Sequence, residues 1–331
     1  MQTTAPAGIV DTLGEGYLII NRRLWVLLVP LLLDLLLAFG PGVSATPLVE
    51  NTMAFLDQAA ASQASGEREG PWTRDELNEA LGPPKEALAK FRDANMLGIL
   101  AWQLPSLISA TSTTPLPVVR GPLLAQVDNA WFFGLGSLAL AVLSLLGVSF
   151  YMAAIAQPMR GEAGFVYQAF RGWANLLLLY GALLLVSLPI GGAMLLFLGL
   201  VGLLGSAAVS FASGAALATV MTVAFYMFFV DDAIFVAGAS PWRAIWTSAH
   251  VVWRNFWSAV GFILVVNLIL IGTPLAWRLI MDYPVAAVGA MAGHAYVVSG
   301  LIAAGMLFLK NRLATPLRDD KAHSRSSLHS E

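Results

Sequence analysis

Three polar residues stand inside long apolar runs of this 331-residue chain: Asp34 in LWVLLVPLLLDLLLAFG (24–40), Asn267 in 257–277 and His294 in 285–309. A polar or ionisable side chain in hydrocarbon is costly and marks a relay, a substrate contact or a packing bond. At the helical rise, Asp34 lies about 16 Å from Arg23, Asn267 about 20 Å from Arg254 and His294 about 24 Å from Lys310. Those depths place all three in the mid-to-outer bilayer, as a candidate polar site where an Asp–His pair relays protons or binds a polar substrate. Two plainer arrangements compete. Asp34 can pair with Arg278 near the outer surface, or an interhelical hydrogen bond can simply fix packing, typically worth about 0.6 kcal/mol. Ser213 in FASGAAL (211–217) and His294 in GHAYVVSG (293–300) carry a second chemistry. A His base within hydrogen-bond reach of a Ser hydroxyl activates it for acyl transfer. Ser213-Gly214 is equally what any closely packed span displays.

A third pattern recognises lipid. Residues 240–257 read SPWRAIWTSAHVVWRNFW. On a helix, Trp242, Trp246, Trp253 and Trp257 fall within about 60° of one another. Ile245, Ala249 and Phe256 widen that face, and Arg243, Thr247, Arg254 and Asn255 are expected on the opposite side. Ser240 suits the N-cap and Pro241 the first helical position. Such a helix lies in the headgroup plane rather than crossing it. Segment 162–173 (EAGFVYQAFRGW) is a weaker copy, with Phe165, Ala169 and Trp173 in one stripe.

The elements that must position these residues are membrane helices. The chain is 58% hydrophobic and 11% charged, against about 45–50% and about 25% in soluble domains. Spans of about 20 apolar residues are expected at 24–40, 130–156, 174–196, 206–230, 257–277 and 285–309, with Pro189-Ile190-Gly191-Gly192 kinking or ending the third. The expected fold is all-α: a polytopic bundle of six transmembrane helices, cytoplasmic interfacial helices near 162–173 and 240–256, and a helical extracytoplasmic insertion over 41–129. Its parts are 1–40, 41–129, the five-span bundle 130–309, and a polar, disordered tail 310–331. Lys and Arg cluster at 1–23, 157–173, 231–256 and 310–331, while the two short loops on the other side carry only Arg278. The positive-inside rule then puts both termini in the cytoplasm. Arg22-Arg23, an apolar run and Val43-Ser44-Ala45 also fit a cleavable signal peptide, although Asp34 inside that run argues against it.

Within 41–129, PGVSATP (41–47) reads as a small-residue opening. Residues 50–64 and 73–94 are helix-prone, Thr73 and Glu76 fit a capping box, and 95–110 suits a helix lying on the surface or packed on the bundle. The whole is an inter-span loop or a lid. Three span approaches, 17–32, 166–181 and 250–265, share an arginine followed by an aromatic and suggest a repeat of surface helix plus hairpin. Glycines at 191–192, 199, 202, 205, 289 and 293 predict close helix packing. The net charge of −2 and the lack of nucleic-acid motifs exclude bulk attraction to nucleic acid. With no cysteine there is no thiolate chemistry or Cys-based zinc site, the remaining histidines lack ligand spacing, and no cofactor motif appears.

These residues carry two resemblances. Asp231-Asp232-Ala-Ile, then Ser240-Pro241-Trp242-x-Ala244-Ile245-x-x-Ser248, then Val252-x-Arg254-Asn255-Phe256-Trp257 resembles a signature of uncharacterised prokaryotic multi-pass membrane families. Among these is the membrane domain fused to some bacterial glycerophosphodiester phosphodiesterases. The likeness covers about 130–310 and implies a membrane module, with no hydrolase activity or catalytic residues. The Ser213/His294 arrangement resembles rhomboid intramembrane serine proteases, whose Ser lies in a Gly-x-Ser-Gly motif. Phe211 replaces the motif's first glycine, and the second span offers no His or Asn for an oxyanion hole, Asn129 lying only at its edge. The leading expectation is a non-enzymatic scaffold or partner subunit that binds membrane lipids through Trp242, Arg243, Trp246, Trp253, Arg254 and Trp257, with a possible membrane-protein partner and no nucleic acid. The alternatives are a transporter or lipid-handling protein using Asp34, Asn267 and His294, and the protease.

Overall fold

A computed structural model describes residues 8–64, 82–83, 85–112, 116–117, 122–161, 164–202, 205–281 and 283–314. The Thr73–Glu76 capping box, residues 162–163 and most of the C-terminal tail lie outside them. Five helical segments are long and apolar enough to cross a membrane: Ala130–Arg160, Phe165–Gly202, Ala207–Val236, Phe256–Arg278 and Val285–Ala314. The chain is therefore a helical membrane protein. The apolar run at 24–40 behaves differently. It forms a 3-10 turn, Leu24–Leu27, and then helix α2, Leu28–Phe39, of 12 residues. Pro30 accounts for the restart, because its missing N–H falls in the first turn of α2, where donors have no intrahelical partner anyway. The two pieces together reach about 26 Å, slightly short of the hydrocarbon thickness.

The remaining helices are α1 (Ile9–Asn21), α3 (Thr46–Ala64), α4 (Leu107–Thr111), α5 (Ala130–Arg160), α6 (Phe165–Gly202), α7 (Ser206–Met227), α8 (Val230–Val236), α9 (Pro241–Arg254), α10 (Phe256–Arg278) and α11 (Pro284–Ala314). A 3-10 helix spans Met96–Ala101. Two expectations change here. Helix α6 runs through Pro189–Gly192 without ending, and it absorbs the stretch expected as a separate surface helix near 162–173. In lipid no water competes for the backbone carbonyls, so a continuous helix is favoured despite one missing donor. Of the three repeated approaches, those at Arg22-Arg23 and Asn255 contain a break, and that at Arg171 does not.

The chain divides into two compact units, one of Met1–Arg23, Met152–Leu268 and Ser299–Glu331, the other of Leu24–Tyr151 and Ile269–Val298. In the first, Phe308 stacks on Phe229 and Phe262 at centroid distances of 5.2 and 4.7 Å, with those two rings tilted to each other at 6.0 Å, and the three form the aromatic centre. Helix α1 docks on α11 through Gly16, where a β-carbon would lie 2.7 Å from both Gly300 O and Ala304 N. Close packing thus falls at Gly16, Gly300 and Gly305. Gly191, Gly192, Gly199, Gly205 and Gly289 of the expected runs have no neighbour there, Gly202 meets only Val209 at 3.9 Å, and Gly293 alone is tightly packed, against Trp277.

The second unit holds a feature that a purely helical reading misses. Strands β1 (Gly42–Ser44) and β2 (Leu123–Gln126) pair in parallel, Gly42 opposite Leu123 and Ser44 opposite Gln126. Buried Asn95 organises this corner: its Oδ1 accepts from Val43 N and Leu97 N, both at 3.1 Å, and its own N–H donates to Pro117 O. The residues of the signal-peptide alternative are thus strand β1 and the buried Ala45. Segment 95–110 packs inward, with Leu107 and Ile108 against Leu33, Leu37, Ala290 and Met291. Ser144 of α5 also donates to Leu100 O.

Candidate functional site

Helix α9 begins at Ser240-Pro241, with extended backbone at Ser240, yet the Ser240 side chain makes no capping bond. Its tryptophans face outward: Trp242, Trp246 and Trp253 are 68–72% exposed, and Trp257, expected on the same helix, lies past the break at Asn255 on α10 and is 82% exposed. Arg243 and Arg254 are also exposed. The buried residues are Ala244, Ser248, Val251 and Val252. On the helical wheel these sit across from the tryptophans, and the arginines sit beside them. The expected two-sided helix therefore has three faces. The side away from the tryptophans packs on protein, and arginine and tryptophan share the free side.

Ser248 sets that orientation. Its hydroxyl donates to Tyr226 O at 2.7 Å and accepts from Phe229 N at 3.1 Å. Those groups flank the break between α7 and α8, where helical partners are missing. Ser248→Ala leaves a buried N–H and a part-buried carbonyl without this partner, at a cost of about 1–3 kcal/mol. Chemical or thermal unfolding in detergent measures it, and Ser248→Thr should recover most of the loss.

The loop before α9 is held from three sides. Arg160 donates to Phe235 O, Arg171 to Gly238 O and Asn175 to Ala239 O. Gly238 has φ +62° and lies so close to Arg160 that a β-carbon would be 3.0 Å from its Nη2. At the far end, Asn255 caps α9, its Nδ2 donating to Val251 O and its Oδ1 accepting from Arg312. Arg23 bonds Gln157 and Lys310 bonds Met159 O. Among the described residues of this unit, Arg22, Arg243 and Arg254 have no hydrogen bond or ion pair and are exposed.

No family model, curated protein or solved structure matches this chain.

Of the expected polar intramembrane residues, Asp34 and His294 belong to the second unit and Asn267 to the first. Asp34 is fully buried and accepts three bonds, from Ser106 Oγ at 2.6 Å, Leu107 N at 3.0 Å and Ile108 N at 3.3 Å. It caps the N-terminus of α4. Arg278 does not pair with Asp34 but donates to Thr111 O at the other end of α4, at 2.6 Å. Anion and cation thus sit at the matching ends of one short helix. Asn267 is exposed and donates to Ile263 O of its own helix. His294 is buried, with Nδ1 unpartnered. Ser213 is exposed on α7.

Two further residues went unnoticed as ionisable groups in an apolar setting. Asp231 accepts from Tyr180 OH at 3.0 Å, and Asp232 is buried over Gly305, where a β-carbon would lie 2.9 Å from its Oδ2. The signal was available: two carboxylates close an uncharged run that starts at Ala174, and intramembrane carboxylates need a stated partner.

Proposed function

We propose that this chain is a non-enzymatic membrane scaffold or partner subunit with six spans and both termini in the cytoplasm of a prokaryotic cell. Helix α9 rests in the headgroup layer of the cytoplasmic leaflet and braces the bundle there. The observation that carries this reading is the pairing of three exposed tryptophans with two unpaired arginines on the free side of a helix pinned through Ser248, with exposed Trp257 at the start of α10 just beyond it. Tryptophan prefers the headgroup level, and arginine meets lipid phosphate there. Five other basic residues near that end are occupied by protein carbonyls and amides. They shape the platform and leave Arg243 and Arg254 to the lipid. The 24–40 segment counts as the first span in this topology, being apolar throughout except for a carboxylate that is satisfied internally. The likeness of the α8–α9 stretch to prokaryotic membrane modules of unsettled role fits the same assignment.

The chain has no cysteine, so single-cysteine variants along 242–257 test the reading directly. A membrane-impermeant maleimide should react with positions 243, 250 and 254 only in inside-out vesicles. Positions 242, 246 and 253 should be protected in either orientation. Labelling of 243 and 254 from the outside of intact cells would overturn the topology, and uniform labelling of all six positions would overturn the seating in the interface.

A further inference from the structure

The second unit contains a cavity of ≈ 380 Å³. Helix α3 supplies Leu48 and Val49 to one wall, the segment before Asn95 supplies Leu88 and Phe91 to another, and the first turn of α5 supplies Ala130 and Phe133. Among the described residues, only Thr52 brings a polar side chain to the lining, and its Oγ1 already donates to Leu48 O at 2.8 Å. The described lining therefore offers no unmet side-chain donor or acceptor to a guest. Its two walls are clamped together by Lys85–Asp57 at 2.5 Å and Arg92–Glu50 at 2.6 Å. Thr46 Oγ1 adds a bond to Arg92 O.

Protein interiors are packed close to crystal density, and voids larger than a water molecule are few. A pocket with so apolar a lining favours apolar guests. It falls within the roughly 300–1,000 Å³ typical of ligand sites. The occupant must be apolar along its whole buried length, because nothing inside would pair with a polar group. Its source is suggested by α5. The turn that walls the cavity also carries Trp131 and Phe132, which are 80% and 71% exposed at the start of a membrane-spanning helix. The apolar group present in bulk at that level is a lipid tail.

We propose that this cavity takes one acyl chain of a membrane phospholipid, drawn from the leaflet that meets the first turn of α5. It is a lipid-binding site separate from α9 and does not depend on the role given to that helix.

The test uses the full chain in vesicles of phosphatidylcholine containing a fraction with a diazirine in one acyl chain. After illumination, adducts are mapped by mass spectrometry. Adducts are expected on Leu48–Thr52 and Leu88–Phe91, in addition to the lipid-facing stretch Leu184–Leu188. Val49→Trp fills the space and should lower labelling of Leu88–Phe91 by about fivefold or more, the loss expected when a few methylenes are excluded. Leu88→Trp should do the same to Leu48–Thr52 from the opposite wall. Labelling of Leu184–Leu188 should stay unchanged in both; a variant that loses it has misfolded, and the other variant then decides. Wild-type protein without adducts on either wall, or walls labelled equally in correctly folded filled variants, would overturn the proposal. So would walls labelled by a diazirine fatty acid added from the aqueous phase but not by the phospholipid.

Discussion

Asp34→Ala is expected to lower the unfolding free energy by about 3–5 kcal/mol, the range for removing one partner of a buried charged network. The carboxylate is fully buried and receives the Ser106 hydroxyl and the N–H groups of Leu107 and Ile108. Removing it strands three donors, each costing about 1–3 kcal/mol when left buried and unpaired. The average intramembrane hydrogen bond is worth only about 0.6 kcal/mol, because freed groups usually find other partners. That escape is closed here. Two of the donors are backbone amides at the start of a short helix, and their positions are fixed by Leu107 and Ile108 packing against Leu33, Leu37 and Met291. Asp34→Asn should cost less, since an amide oxygen still accepts, although its NH₂ must then face donors. Unfolding in mixed micelles measures both. A loss below about 1 kcal/mol in Asp34→Ala, the worth of one ordinary hydrogen bond, would show that the carboxylate does not hold α4 in place.

The second large effect concerns lipid. Binding of the isolated 240–257 helix to anionic vesicles should weaken by roughly 10²–10³-fold in Arg243→Glu/Arg254→Glu at low salt. Each basic residue near an anionic surface contributes about 1 kcal/mol, and reversing two charges removes that attraction and adds repulsion of similar size. The difference should shrink as salt approaches physiological strength. Trp242→Ala/Trp246→Ala should weaken binding to neutral and anionic vesicles alike, because it removes apolar contact instead of charge. In the full chain the arginine reversals should leave stability nearly unchanged, since both side chains are exposed and make no bond to protein. Equal vesicle affinity of the wild-type and double-reversal peptides would remove the basis for assigning α9 to the lipid interface.

Legibility in the sequence tracked the range of the interaction. The tryptophan stripe was readable because Trp242, Trp246 and Trp253 rest on spacing within four turns of one helix, although the break at Asn255 puts Trp257 on the next. Its reverse side was misassigned: the wheel shows where Ala244, Ser248, Val251 and Val252 point, but not that protein lies there. Segment 95–110 was correctly too short and interrupted for a span, yet its contacts with α2 and α11 have no local signature. The Asp34–Asn267–His294 grouping came from depth alone. The partners that Asp34 and Asn267 take, the Ser106 hydroxyl and the Ile263 carbonyl, are not visible in depth.

By itself the sequence determined that the chain lives in a membrane, where its apolar runs lie and where a Trp/Arg helix interrupts them. These depend on composition and on periods of a few residues, which local chain geometry enforces. Tertiary structure alone decided what satisfies the buried polar groups. Asp34 is matched by donors 72–74 residues away, Ser248 by a break 19–22 residues earlier, and β1 by a strand at 123–126. Hydrogen bonds of that range are chosen by which surfaces packing brings together, and nothing in the local pattern records the choice.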